Sequence, residues 1–186
     1  MHRWNGRFYL VSMLITSVTA IGIAGLGFAG EDVQGSVFLF AIGWFTLYLL
    51  LSGYVHAHYY SDPESLIRKI LISTGLTTAS GMIAFAVFML LTGQQTMGIV
   101  LLVFGIVLGM LTRSDLRVMI KTGKGLKHDW RISHLGSMIA SYIAATTAFL
   151  VNVVHTGPAL LKWLGPSVIG TLLITYYSGK LRRSRS

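Results

Sequence analysis

Cysteine is absent from this chain, which excludes disulfide bonds, thiolate metal sites and iron–sulfur ligation. Acidic residues are scarce, with 6 Asp and Glu against 15 Lys and Arg in 186 residues. Charged residues make up 11% of the chain, whereas a soluble domain carries about 25%. Hydrophobic residues make up 53%, and the mean hydropathy is +0.67. This balance is typical of a membrane protein, and we expect a single helical domain.

Long uncharged runs divide the chain into six predicted transmembrane helices, because about 20 apolar residues cross a bilayer core. The first run is too long for a signal peptide, so we expect it to be retained. The run from 70 to 112 is too long for one crossing, and residues 92–96 divide it. The sixth span has two interpretations. Either Pro158 opens a helix that bends at Pro166, or residues 158–164 form an interfacial turn before a later span. The predicted spans are 8–30, 33–55, 70–91, 95–112, 132–154 and 158–179.

The basic residues predict the orientation of these spans. Six crossings with the amino terminus inside place 14 of the 15 Lys and Arg residues in the cytoplasm and leave only Lys162 outside. We therefore predict an all-α, polytopic bundle with both termini in the cytoplasm. The net charge of +9 follows from these loops and suits anionic lipid headgroups as partners, so nucleic-acid binding is not predicted.

Small residues recur along two of the predicted spans. Close packing of helices in lipid depends on such residues, because apolar side chains gain little by leaving lipid for each other. The stripes therefore predict helix contacts, either within the bundle or between copies in a homo-oligomer, and we favour the bundle. They comprise Gly98, Gly105 and Gly109 in the fourth span, and Gly136, Ala140, Ala144 and Ala148 in the fifth.

Histidines are the main candidates for chemistry, because the predicted spans contain no Asp, Glu, Lys or Arg apart from Lys162 at the outer interface. That absence argues against a charge-coupled pump but not against a carrier for a neutral substrate. His56 and His58 end the second span, and His134 begins the fifth at a similar depth. His134 with His56 or His58 is a candidate ligand set for haem b or a divalent metal. The alternative for each histidine is an interfacial residue bonded to carbonyl groups or lipid headgroups.

Two polar stripes extend from these histidines along their helices. Trp44, Tyr48, Ser52 and His56 recur at four-residue spacing in the second span. In the fifth span, Ser141 and Asn152 share a face with His134, being close to two and five whole turns away. Lipid cannot satisfy such groups, so we expect them to face the bundle or a cavity. Ser141 and Asn152 are therefore the candidate cavity-lining residues.

Two segments carry a resemblance to a known family. Residues 2–9 follow the pattern H-R-W-x-G-R-x-Y, and residues 134–149 combine H-x-x-x-M with S-Y-I-A-x-x-T-A-F. This resembles a family of bacterial multi-pass membrane proteins whose domain has unknown function. The resemblance implies a bacterial inner membrane. It also implies a headgroup-binding cap at the cytoplasmic face formed by His2, Arg3, Trp4 and Arg7.

Three functions remain open at this point. We predict first a non-catalytic accessory or assembly subunit, with other membrane subunits or further copies of the chain as partners. The second is a histidine-ligated haem b or metal-binding redox protein, and the third is a carrier for a neutral or amphipathic substrate. No metalloprotease signature, nucleophile elbow or phosphate loop is present, so an enzyme is not predicted.

Overall fold

A computed structural model of the chain describes residues 2–30, 32–58, 66–120, 126–154 and 156–183. These residues form an all-α protein with six helices, each long and apolar enough to cross a membrane. The protein is therefore a multi-pass membrane protein. The helices are α1 (His2–Gly27), α2 (Val33–His58), α3 (Leu66–Leu91), α4 (Gln95–Ile120), α5 (Leu126–Val153) and α6 (Ala159–Arg183).

Short polar turns join the helices at one end of the bundle. Before α2, the Asp32 carboxylate accepts a hydrogen bond from the Gly35 backbone N–H at 2.8 Å, as an N-cap does. Between α3 and α4, Gly93 has a φ of 88°, a conformation that glycine adopts without strain. Before α6, Gly157 has a φ of 86°. Helix α6 begins directly after Pro158 and runs without interruption through Pro166, which agrees with the start of the helix in the first interpretation.

Helix α2 lies at the centre of the bundle, where it contacts α1, α3, α4 and α5. In the most apolar stretch of α2, 44% of the residues are buried. In the corresponding stretch of α6 only 6% are buried, so α6 lies at the periphery. The apolar core joins α2 to α3 and α4, with Phe45 stacked on Phe104 at 5.3 Å between ring centroids. The central position of α2 brings its polar face against other helices instead of lipid.

Most of the small residues of the predicted stripes pack inside the bundle, whereas Ala148 is exposed. A Cβ atom at Gly105 would lie 3.2 Å from the Met82 Cβ of α3, and one at Gly109 would lie 3.8 Å from the Ala79 Cβ. In α5, Ala140 and Ala144 belong to the buried core. This confirms the internal use of these positions. Gly136 differs, since a Cβ there would meet no atom within 4 Å.

Candidate functional site

The polar face of α2 forms a buried network near the end of the bundle where α2, α4 and α6 finish and α1, α3 and α5 begin. We call this the basic end, after Arg68 and Lys69 of α3, Arg113 and Arg117 of α4 and Arg131 of α5. Four-residue spacing places Tyr48, Ser52 and His56 on one side of α2. All three are 3% exposed or less. Their common partner is Asp115, which lies near the end of α4 and is 6% exposed.

Each carboxylate oxygen of Asp115 has its own partners on α2. The Ser52 hydroxyl donates to Oδ2 at 2.8 Å, and the Tyr48 hydroxyl donates to the same oxygen at 3.3 Å. Thr112, one turn earlier on α4, donates to the Tyr48 hydroxyl at 3.1 Å. Oδ1 lies 3.3 Å from Nε2 of His56. The network thus ties the ends of α2 and α4 together.

The partners of His56 determine where its ring carries hydrogen. Nδ1 lies 2.7 Å from the Ser52 carbonyl oxygen, which can only accept, so Nδ1 must be the donor. Nε2 faces Oδ1 of Asp115, and two lone pairs would repel each other there. One proton must therefore lie between these atoms, either on an imidazolium facing a carboxylate or on a carboxylic acid facing a neutral imidazole. Both forms have the same total charge.

Two further helices bring groups to this network. Arg68 from the first turn of α3 is 3% exposed and interacts electrostatically with both Asp115 and His56. Ser137 of α5 is 4% exposed, and its Oγ lies 3.4 Å from Ser52 Oγ. Because the Ser52 hydrogen is used toward Asp115, Ser137 donates in this contact. Four helices therefore contribute to one buried polar cluster.

A cleft of about 400 Å³ lies between α4, α5 and α6 on the other side of Asp115. Asp115 and Ser137 belong to both the network and the cleft, so the two are continuous. Gly136 and Gly179 also line it, and their missing side chains leave space there. Its lining includes one carboxyl-bearing and five hydroxyl-bearing residues, of which Thr175 donates to the Thr171 carbonyl of its own helix: Ser114, Asp115, Ser133, Ser137, Thr175 and Ser178.

A second cavity, of about 370 Å³, lies between α2, α3 and α4 and has a different character. Its lining is mostly apolar and includes Phe40, Trp44 and Phe85. The hydroxyls of its Thr74 and Thr77 donate to carbonyl groups of their own helix. Trp44 thus lies apart from Tyr48, Ser52 and His56, although the four share one sequence stripe.

The three histidines predicted as ligands lie in different surroundings. His56 is buried, and both of its ring nitrogens have partners. His58 is exposed at the end of α2 and stacks on Tyr54 with 4.1 Å between ring centroids. His134 is half-buried, with Nδ1 2.7 Å from the carbonyl oxygen of Gly53. Among the described residues, no group of three or more His, Cys, Asp and Glu could hold a metal ion. The network therefore offers a proton site more readily than a ligand set.

The remaining predicted residues divide between bundle contacts and the surface. Ser141 is fully buried, and its hydroxyl lies 2.7 Å from the Tyr9 hydroxyl of α1, so it bridges helices and does not line either cavity. Trp4 and Arg7 are exposed, as a headgroup-binding cap requires. The side chains of His2, Arg3 and Asn152 lie outside the described part of the structure.

Helices α3 and α4 extend beyond the predicted spans and include charged residues. Helix α4 continues to Ile120, beyond the predicted end at residue 112, and α3 begins at Leu66 instead of residue 70. Asp115 and Arg68 are therefore helical and buried, although the sequence placed both in loops. One signal was present. Leu108, Thr112 and Asp115 lie at i, i+4 and i+7, the spacing of one continuous buried helix face.

No family model matches this chain, and neither a curated protein nor a solved structure is found to match it. The resemblance to the bacterial family therefore stays a prediction. The function has to be argued from the network and the cleft.

Proposed function

We propose that the protein is a membrane carrier that binds a small, neutral, polar solute in the cleft between α4, α5 and α6. The observation that carries this proposal is the position of Asp115, a buried carboxyl group. Asp115 lines the cleft on one side and contacts His56 on the other. A buried ionisable group facing a cavity within a membrane helix is expensive to maintain. Such groups mark substrate and ion pathways.

The lining of the cleft supports a neutral solute. Hydroxyl groups both donate and accept hydrogen bonds, which suits a solute with hydroxyl or amide groups. The carboxyl group of Asp115 already has His56 as its ionic partner. A solute in the cleft therefore does not need a positive charge to pair with it. The volume of about 400 Å³ falls in the range of small-molecule sites, roughly 300–1,000 Å³.

An enzyme of the serine–histidine–aspartate type has less support, although these three residue types meet in the network. Ser52 is fully buried, and its hydroxyl donates to Asp115. The His56 nitrogen nearest Ser52 is already a donor to the Ser52 carbonyl, so it cannot accept the serine proton. The arrangement lacks both a base and access for the nucleophile.

The structure bears differently on the other functions predicted from the sequence. For haem b or a metal, His56 would first have to give up its contact with Asp115. The accessory-subunit prediction stays a prediction. One of its supports, the glycine stripe of α4, is now accounted for by packing on α3 within the chain. The bacterial inner membrane and the cytoplasmic orientation of the basic end also remain predictions.

Uptake by reconstituted vesicles tests the carrier proposal. We expect vesicles that contain the purified protein to take up at least one of labelled glycerol, ribose and urea several-fold faster than protein-free vesicles. The three probes represent a polyol, a sugar and an amide, because the lining suits hydroxyl and amide groups. Uptake of none of them, by protein that unfolds cooperatively, contradicts the proposal and favours the accessory-subunit prediction.

A further inference from the structure

We infer that the cavity between α2, α3 and α4 binds one acyl chain of a membrane lipid, which enters from the leaflet at the end of the bundle opposite the basic end. This site is independent of the proposed function, because no residue lines both this cavity and the cleft between α4, α5 and α6. Three features of the cavity support the assignment: its lining, the side to which it opens, and its length along the helices.

The lining of the cavity offers many contacts to a hydrocarbon chain and few hydrogen bonds. Its inner wall includes Met82, which is 3% exposed, and Leu101, which is fully buried. Of its three threonines, Thr74 and Thr77 donate their hydroxyls to carbonyl groups of α3 at 3.0 Å. Apolar walls lose packing contacts wherever no atoms face them. A cavity of about 370 Å³ with such walls is therefore stabilised by an apolar occupant.

The cavity opens sideways, toward lipid. Phe40 of α2 and Thr77 and Gly81 of α3 line it and are exposed, so they form its rim. All three lie inside the candidate membrane spans Val33–His58 and Leu66–Leu91, well away from the ends of these helices. A molecule can therefore reach the cavity from the hydrocarbon region of the bilayer without passing the polar ends of the bundle. Lipid chains are the apolar groups that fill this region.

The lining residues extend along the helix axes over about the depth of one leaflet. On α3 they run from Thr74 to Phe85, which is about three turns or roughly 16 Å. On α2 they run from Val37 to Trp44, which is about two turns or roughly 10 Å. One leaflet contributes roughly half of a hydrocarbon core that is about 30 Å thick. The cavity therefore has the length of a lipid chain that lies parallel to the helices.

The direction of the helices identifies the leaflet. Helix α2 begins at Val33 and α3 ends at Leu91, both at the end opposite the basic end. Val37 is about one turn from this end and Phe85 about two turns, whereas Trp44 lies near the middle of α2. A lipid of that leaflet can thus keep its headgroup at the membrane surface while its chain reaches Trp44.

Quenching of Trp44 fluorescence by brominated lipid tests this site. The protein keeps Trp44 as its only tryptophan, with Trp4, Trp130 and Trp163 replaced by phenylalanine. It is reconstituted in phosphatidylcholine vesicles whose acyl chains carry bromine near their ends, at the depth of Trp44. Bromine quenches tryptophan only at short range. We therefore expect strong quenching that does not change when the protein is diluted in lipid.

Two variants of the single-tryptophan protein fill the cavity from opposite walls. Gly81→Leu adds a side chain from α3, where a Cβ meets no atom within 4 Å, and Ala41→Leu adds atoms from α2. We expect either change to lower the quenching of Trp44 several-fold, because the chain beside it is displaced. Gly22→Leu is the control, because Gly22 is exposed on α1 outside the cavity, and it should leave quenching unchanged.

Three outcomes would overturn the assignment. Weak quenching at every protein-to-lipid ratio would show that no chain lies beside Trp44. Quenching that rises as the protein is diluted in lipid would assign the cavity to a second copy of the chain. Quenching as strong in both filled variants as in Gly22→Leu would mean that Trp44 meets only the lipid around the protein.

A second measurement decides the matter if neither filled variant folds. The protein is purified in mild detergent, and its bound phospholipid is counted by native mass spectrometry. One retained phospholipid per chain supports the site, and none contradicts it.

Discussion

Replacing Asp115 with alanine is expected to lower the free energy of unfolding by about 3–5 kcal/mol. Removing one partner of a buried charged pair leaves the other without compensation, and costs of this size are typical. Here the loss would leave Nε2 of His56 and the hydroxyls of Tyr48 and Ser52 without their acceptor. Denaturation of the purified protein in mild detergent measures the effect.

The matched control for this prediction is Asp32→Ala. Asp32 is exposed and caps the first turn of α2 at the other end of the bundle, where its loss should cost about 1 kcal/mol. Replacing both His56 and Asp115 with leucine should cost less than Asp115→Ala alone, because no unpaired buried charge remains. An Asp115→Ala protein as stable as the Asp32→Ala protein would contradict the buried network.

Placing leucine at Gly136 is expected to reduce solute uptake at least tenfold while leaving the protein folded. A Cβ at this position meets no atom within 4 Å, so the backbone of α5 can accept a side chain. The added atoms would extend into the cleft that Gly136 lines. Replacing glycine inside a helix also removes a penalty of about 0.5–1 kcal/mol, which favours folding. Uptake by vesicles and the unfolding temperature are measured on the same preparation.

Gly22→Leu is the control for the Gly136 variant. A Cβ at Gly22 would also meet no atom within 4 Å, but this residue lies exposed on α1, away from the cleft. The same substitution there should leave uptake unchanged. If Gly136→Leu transports as fast as the Gly22→Leu protein, solute does not pass through the cleft between α4, α5 and α6.

The polar face of α2 could be predicted from the sequence because it depends on helix geometry alone. Tyr48, Ser52 and His56 are separated by four residues, and any helix through them presents them on one side. Their position inside the bundle also followed, because lipid cannot satisfy three polar groups in a row. The structure confirms that all three are buried.

Asp115 was predicted to lie outside the fourth span because the uncharged run ends at Thr112, although its spacing from Leu108 and Thr112 fits one helix face. A hydropathy rule stops the helix there, whereas α4 continues with Arg113 and Arg117 exposed and Asp115 turned inward. The partner of Ser141 could not be predicted from the sequence either. Its contact with Tyr9 depends on α1 lying beside α5, and one sequence does not determine the order of helices around a bundle.

Labelling of a single cysteine in the cleft tests the central claim most directly, because the chain has no other thiol. Ser178→Cys places the thiol in the cleft lining. Gly22→Cys is the reference, because Gly22 lies on the exposed face of α1 within its candidate membrane span. In detergent-free vesicles we expect a water-soluble maleimide to label the cleft cysteine faster than the reference, and a transported solute to slow only the cleft reaction. Equal labelling rates, or no protection by a solute that the protein transports, would contradict the account.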